Sequence, residues 1–454
     1  MQVFVHAHEA DKVAETLRDE LRALATLAWP PVLGQLAWMG MRVVDVVMVG
    51  HLGAEPLAAV SLANTWSFAF TVLLLGAAHG LDPSLTQAFG AGDRQGAGLA
   101  FARGCVLLGG FGLLVTAAHT LAGPGLALMG QPPDLLPLAH EVALVLGAAV
   151  LPTIAFYLLR QFLQADGRMQ PAMWVMAIGN VANLVFNLAL IHGKWGAPAL
   201  GAVGVAWATL GCQLLMTAAL LAIAWPELQR CRPVEPVLKA EPLLRLAGDA
   251  VPVGAQTGLE VWAFQAATLM MGWLGATAVA AHTVALNLAS VSFMIPFGMS
   301  AAAATRVGNL LGAGKDWQRA GWVAIACGTG VMLVGATVFT LLPRPLAELY
   351  TDDVAVIAVA ATLLPVAGAF QLFDGAQVVS FGVLRGAGDV RFPPLINLVG
   401  WWAVALPAGW FLAFRLDWGE RGVWAGLVIG LALVATALLV RVRVTGRRGG
   451  RRVW

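Results

Sequence analysis

The chain has 454 residues, of which 59% are hydrophobic and only 11% charged, and its mean hydropathy is +0.78. A soluble globular protein typically carries about 25% charged residues, so this chain cannot cover itself with a water-compatible surface, and lipid must be the solvent for much of its area. The formal net charge of +2 matters less than where the charges lie.

Residues 9–22 mix acids and bases (Asp11, Lys12, Glu15, Arg18, Asp19, Glu20). A secretory signal needs a basic start followed by an unbroken apolar run, so residues 1–25 read as a cytoplasmic N-terminal segment with a short helix. Twelve apolar runs follow, each of about the 20 residues that cross the hydrocarbon core. They lie near 26–50, 57–80, 98–121, 139–162, 172–191, 202–225, 247–271, 277–300, 319–342, 355–381, 393–414 and 422–441. With the N-terminus placed in the cytoplasm, 21 Lys and Arg residues fall on the cytoplasmic side and four (Lys194, Arg344, Arg415, Arg421) on the other, while Arg42 and Arg160 lie within spans. That asymmetry sets the orientation and puts both termini inside.

The chain repeats itself. Pro31 and Gln35 match Pro252 and Gln256, Leu52-Gly53-Ala54 matches Leu274-Gly275-Ala276, and Gly90-Ala91-Gly92 matches Gly312-Ala313-Gly314, at an offset of 221 to 222 residues. Leu163 to Gly167 matches Leu384 to Gly388. Six spans per copy give both copies the same orientation, so the repeats are parallel. The expected fold is an all-α membrane protein of twelve transmembrane helices in two parallel six-helix lobes. The N-lobe covers 26–225, a cytoplasmic linker 226–246, the C-lobe 247–441 and a basic cytoplasmic tail 442–454. A parallel two-lobe design suits alternating access around a site between the lobes.

The charges within the spans do not obey the repeat. Asp45 lies in span 1, Glu260 in span 7 and Asp374 in span 10; Asp45 falls opposite an alanine position near Ala266, and Glu260 opposite Met39. At 1.5 Å per residue Glu260 is roughly 18–22 Å from either face and Asp374 roughly 16 Å from the cytoplasm. A carboxylate at mid-depth costs at least about 2.5–3.5 kcal/mol. It can take a proton or hold a cation, and either makes its state depend on an ion gradient. The competing reading is a structural ion pair, and for Asp45 a partner stands three residues earlier on the same face, at Arg42. Asn183 and Asn187 are four apart on one face of span 5, suited to bonding a carboxylate, dehydrating a cation or packing the bundle. His282, Asn287 and Gln371 are further polar residues in apolar runs, Gln371 one turn from Asp374.

Several classes find no support. Gly312-Ala313-Gly314-Lys315 resembles the end of a phosphate-binding loop, but Asn309 and Asp316 break the pattern. No catalytic triad, zinc motif or DNA-binding pattern is present, so no enzyme activity, cofactor or nucleic-acid partner is expected. The four cysteines, Cys105, Cys212, Cys231 and Cys327, have no metal-ligand spacing and read as small apolar residues.

Asp45-Val46-Val47-Met48-Val49-Gly50-His51-Leu52-Gly53 with Leu57-Ala58-Ala59-Val60 resembles the first-helix signature of multidrug and toxic compound extrusion (MATE) transporters. Gln87 to Gly92, Ala280 to Asn287 and Leu384 to Asp389 are similar to three further segments of that family, in order, so the resemblance runs from about residue 30 to 440. It implies export of organic, mostly cationic drugs from the bacterial inner membrane in exchange for inward H⁺ or Na⁺, by a chain expected to act as a monomer in the bilayer. The NorM branch is the most similar. It implies a cation site at Glu260 and Asp374, where Na⁺ is one possible occupant, and an N-lobe site at Asp45, Asn183 and Asn187; Gln371 and Asn287 are added as candidate site residues from their place in apolar runs alone. Two positions depart from the family pattern: Phe370 replaces a tyrosine of some relatives, which removes a hydroxyl ligand, and Arg42 stands where relatives usually have a small or neutral residue. A lipid-linked precursor flippase of the same superfamily is the alternative; it would be expected to line its cavity with Arg and Lys. A channel is a third class, which would more often show matching rings of polar residues in the two halves.

Overall fold

The computed structural model describes residues 17–453, so most of the expected N-terminal segment lies outside the described residues. The described chain is helical throughout, because in hydrocarbon every backbone N–H and C=O must be satisfied within its own segment. The principal helices are α1 (Leu17–Gly50), α2 (Ala54–Ala78), α3 (Arg94–His119), α4 (Leu136–Ala165), α5 (Gln170–His192), α6 (Val203–Arg230), α7 (Ala240–Leu274), α8 (Ala276–Gly312), α9 (Gln318–Leu341), α10 (Val354–Gly386), α11 (Phe392–Phe414) and α12 (Gly419–Arg447). A 3₁₀ turn, His79–Leu81, carries α2 on into a short helix, Asp82–Gly90. Each expected span falls within one of these twelve helices or its direct continuation, or overruns it by no more than two residues.

Eleven of the twelve are long and apolar enough to cross a membrane by length and composition alone. The twelfth is α7, whose apolar run is diluted by Gln256, Thr257, Glu260, Gln265 and Thr268. A helix can afford that many polar groups at membrane depth only by turning them toward protein or a wet cavity. Glu260 lies near the middle of this polar stretch.

The chain divides into two compact units, and the divisions fall inside helices. One unit spans Leu33–Gly258; the other combines the chain up to Val32 with Leu259–Val453. The first break follows Pro30 and Pro31 in α1 and the second follows Pro252 in α7. A proline inside a helix removes a backbone donor and clashes with the carbonyl one turn back, so a helix can change packing partners there. The linker accordingly belongs with the Leu33–Gly258 unit: Cys231, Leu246 and Ala250 are buried in its core, and the Arg103 Nε donates to the Val237 carbonyl at 3.4 Å. Beside it, the nearly solvent-free Glu227 meets Arg230 at 3.0 Å and Arg94 at 3.6 Å. Burial pushes the Cys231 thiol up to about 11.

The core of the Leu33–Gly258 unit is built from Leu81, Leu85, Leu108, Phe156, Phe162, Leu163 and Leu220. The other unit buries Met271, Leu363, Phe370, Trp401 and Trp424. Its α11–α12 contact depends on absent side chains. A Cβ on Gly426 would lie 2.2 Å from Gly409 Cα, and one on Gly422 would lie 2.5 Å from Ala413 N. Small residues spaced four apart let two backbones approach this closely, which drives helix association where lipid tails are as apolar as leucine. The close contact holds α11 while its middle, Val399–Ala405, runs as a π-helix. A π-helical turn inserts an extra residue per turn and rotates the side chains on either side of it.

Candidate functional site

Two carboxylate centres are present, one in each unit. In the Leu33–Gly258 unit Asp45 of α1 accepts two hydrogen bonds at the same oxygen, Oδ1: from Asn183 Nδ2 at 3.0 Å and from Asn187 Nδ2 at 2.7 Å. The two asparagines are joined by a 3.1 Å bond from Asn187 Nδ2 to Asn183 Oδ1, and both are fully buried. Their i,i+4 spacing stacks them on one face of α5, so a single rigid helix supplies both donors. Thr209 of α6 is the next polar neighbour of the carboxyl.

Arg42 is not the ion-pair partner that the sequence suggests. Among the described residues no salt bridge joins Arg42 to Asp45. The guanidinium sits over the rings of Trp38 and Phe68, 5.3 and 5.0 Å from their centroids. The i,i+3 spacing leaves the two side chains only about 60° apart around the helix, but the guanidinium is taken by the aromatic pair. Arg160 likewise stays inside the unit, buried with its guanidinium 4.4 Å from the Tyr157 ring, and does not reach for the surface. Beside these residues a pocket is lined by Trp38, Met41, Tyr157, Met176, Asn180 and Met216, among others.

In the other unit Glu260 of α7 is clamped from two helices. Gln377 Nε2 of α10 donates to Glu260 Oε1 at 3.1 Å, and Asn397 Nδ2 of α11 donates to Oε2 at 3.0 Å. Asp374 is buried on the same face of α10 as Gln377, less than one turn away, and Glu260 is the charged group that acts on it. No hydrogen bond to the Asp374 carboxyl is present among the described residues. Gln371 is fully buried one turn earlier, with neither end of its amide partnered. Phe370 packs edge-on against Phe264 and Trp424, at 6.0 and 5.9 Å, and tilted against Trp401 at 6.3 Å. The aromatic layer gives these carboxylates an apolar boundary, and His282 of α8 closes it, stacked edge-on against Trp424 and bonded to Thr268 at 3.0 Å.

The sequence-expected residues therefore divide. Asp45, Asn183 and Asn187 form one centre; Glu260 and Asp374, with Gln371 adjacent, form the other. Asn287 joins neither by a hydrogen bond and is exposed on α8. Gln377 and Asn397 escaped the sequence reading. Gln377 lies three residues beyond Asp374, a spacing that alone would have flagged it; Asn397 is a lone polar residue between two proline-marked helix segments and carries no such signal. Among the described residues no three His, Cys, Asp or Glu side chains gather as a metal site, and all four cysteines are free.

Twelve helices in two six-helix repeats, with Asp45 and Glu260 held by amides, define a polytopic membrane protein. Comparison with known proteins is specific. The family model MatE matches residues 30–189 and again 252–411, one copy per repeat. The chain belongs to the MatE family. It is 37% identical over 92% of both chains to the multidrug resistance protein NorM of Burkholderia vietnamiensis. It is 34% identical to the multidrug resistance protein PmpM of Pseudomonas aeruginosa, over 95% of this chain and 93% of that one. The fold superposes on the crystal structure of the eukaryotic MATE transporter AtDTX14 with a TM-score of 0.86, at 22% identity and covering 95% of this chain and 98% of that one. A Pyrococcus furiosus transporter of the wider superfamily, described as having a binding pocket of reversed polarity, superposes with a TM-score of 0.81 at 22% identity, over 95% of this chain and 96% of that one.

Proposed function

We propose that this protein is a multidrug efflux antiporter that exports organic, mostly cationic compounds in exchange for H⁺ or Na⁺ by alternating access. Its place would be the bacterial inner membrane, with both termini in the cytoplasm and the monomer as the working unit. The observation that carries the reading is the pair Glu260 and Asp374, two carboxylates inside the apolar body of one unit with no cationic side chain paired to either among the described residues. Structural ion pairs are completed by a base; these are completed by amides or by nothing. A carboxylate so placed is matched to a cation or proton that comes and goes. One negative site cannot favour the drug and the coupling ion together, so loading the ion lowers the affinity for the drug by the same factor that the drug lowers the affinity for the ion.

The flippase alternative calls for basic groups free to meet an anionic head group. The two bases within the spans, Arg42 and Arg160, are each engaged by aromatic rings instead, which favours cationic cargo. The test is purified protein in liposomes, with an imposed pH or Na⁺ gradient and a fluorescent aromatic cation as cargo. Gradient-driven cation movement that disappears in Glu260→Gln and Asp374→Asn is the expected result. Normal efflux by both variants would refute the reading, and movement of an anionic lipid head group instead would establish the alternative.

A further inference from the structure

The carboxylate of Glu260 is held by two amides whose other ends are idle. Asn397 and Gln377 each spend one N–H on Glu260, and each keeps a buried carbonyl oxygen, Asn397 Oδ1 and Gln377 Oε1, with no hydrogen-bond partner. A buried acceptor left unmade costs about 1–3 kcal/mol, so such atoms in a packed interior call for an explanation. The amide group supplies one. It carries donors at one end and an acceptor at the other. Turned one way it gives an N–H to a carboxylate; turned by half a rotation about its last torsion it accepts the O–H of a protonated carboxyl. An arginine or a lysine, which can only donate, serves the first of these states and not the second.

We propose that Asn397 and Gln377 are positioning residues that hold the Glu260 side chain in one place through both states of the coupling cycle, by reversing their amides when the carboxyl gains or loses its proton or cation. The proposal rests on the antiport reading above and adds to it the residues that keep Glu260 oriented while its charge changes. Asn397 matters more than Gln377. It sits on α11, immediately before the π-helical Val399–Ala405, and α11 is fixed to α12 through the Gly409–Gly426 contact. The state of Glu260 is thereby felt by a helix that carries Trp401 of the buried aromatic layer. Gln377 shares α10 with Asp374, so it also keeps Glu260 in register with the second carboxylate.

The experiment is a double-mutant cycle in proteoliposomes made with the full chain. Asn397→Leu, Glu260→Gln and the two combined are compared for gradient-driven export, for the ion concentration giving half-maximal transport, and for equilibrium binding of the aromatic cation. With a proton as the coupling ion, Asn397→Leu is expected to lower the half-maximal concentration about tenfold, because the ion-free carboxylate loses a hydrogen bond to its charged form and the protonated carboxyl loses only a weaker neutral one. Because Glu260→Gln leaves no export to measure, the double variant is read by equilibrium binding of the aromatic cation, where adding Asn397→Leu is expected to cost nothing more, since the group it positions no longer changes charge. Asn397→Thr, smaller and still polar, is expected to recover part of the ion response, which keeps the test decisive if the leucine variant fails to insert. Losses that simply multiply in the double variant, or an unchanged ion response in Asn397→Leu, overturn the positioning role and leave the antiport reading standing. Normal export by Glu260→Gln overturns both.

Discussion

The two carboxylate centres solve one problem in two ways. Asp45 takes both of its amide donors from a single helix and on a single oxygen, through Asn183 and Asn187 of α5. Glu260 takes one donor on each oxygen, from Gln377 on α10 and Asn397 on α11. The first arrangement is local: wherever α5 goes, the pair of amides goes with it, and the second carboxylate oxygen stays free of both. The second is distributed, because the clamp exists only when α7, α10 and α11 are in register. The lesson is that equal chemistry with unequal support predicts unequal sensitivity. The Asp45 centre should respond mainly to changes in its own side chains, and the Glu260 centre also to changes in helix packing far from it.

The largest effect expected from that contrast is the loss of ion-driven export in Glu260→Gln and Asp374→Asn, down to the rate of protein-free liposomes, with insertion retained on size-exclusion chromatography. Export by Asp374→Asn at the wild-type rate would show that the partnerless carboxylate is a bystander and that the clamped one works alone. Next comes the Asn pair. Asn187→Leu removes a 2.7 Å bond to Asp45 and Asn183→Leu a 3.0 Å bond, and either variant also removes the bridge between the two asparagines. A hydrogen bond to a charged group contributes about 1.5–3 kcal/mol, so Asn187→Leu should impair export on the order of tenfold or more and Asn183→Leu less, read as initial rates. A reversed order would mean that α5 holds Asp45 by its packing and not through these amides.

Packing is the third lever. Gly426→Leu puts a side chain where even a Cβ would lie 2.2 Å from the Gly409 backbone. Overpacking of this kind costs about 1–3 kcal/mol, visible as a lower Tm in detergent. Because Asn397 rides on α11, the same variant should shift the ion response of the Glu260 centre and leave Asp45-dependent behaviour unchanged. Equal damage to both centres would break the distinction between local and distributed support. The smallest effect is expected from Arg42→Met, which keeps the apolar stem over Trp38 and Phe68 and removes a charge that is not paired with Asp45. The cation–π contribution is about 0.5–2 kcal/mol, so a change in export of more than tenfold would show that Arg42 acts on Asp45 through the field after all.

Much of this molecule was legible from hydropathy and spacing. The twelve spans, the internal repeat and the membrane-depth carboxylates all follow from apolar runs interrupted by charge, since the cost of a charge in hydrocarbon leaves a mark in any sequence that tolerates it. The Asn183–Asn187 pair was legible for a related reason: four residues make one helical turn, and two amides on one turn share a target. The competing reading of Asp45, an ion pair with Arg42, is not what the structure holds, because separation along a helix does not decide which neighbour a long side chain will choose. The direction of Asn287 was not legible for a different reason. A polar residue in an apolar run shows that something polar is tolerated there, but its direction depends on the rotation of α8, which the hydropathy pattern of an almost wholly apolar helix leaves open.

What the sequence determined by itself is therefore the solvent and the count: a lipid-embedded bundle, twelve crossings, two parallel copies, and carboxylates placed asymmetrically between them. What only the tertiary structure decided is which groups meet those carboxylates. Gln377 and Asn397 lie 117 and 137 residues from Glu260, and they converge on it because prolines, a π-helical stretch and a glycine contact set the rotation of three helices. The physical reason is one of range. The energy that places a helix in a membrane is summed along its own twenty or so residues, whereas the energy that orients a hydrogen bond inside the bundle depends on angles between helices, to which residues from the whole unit contribute.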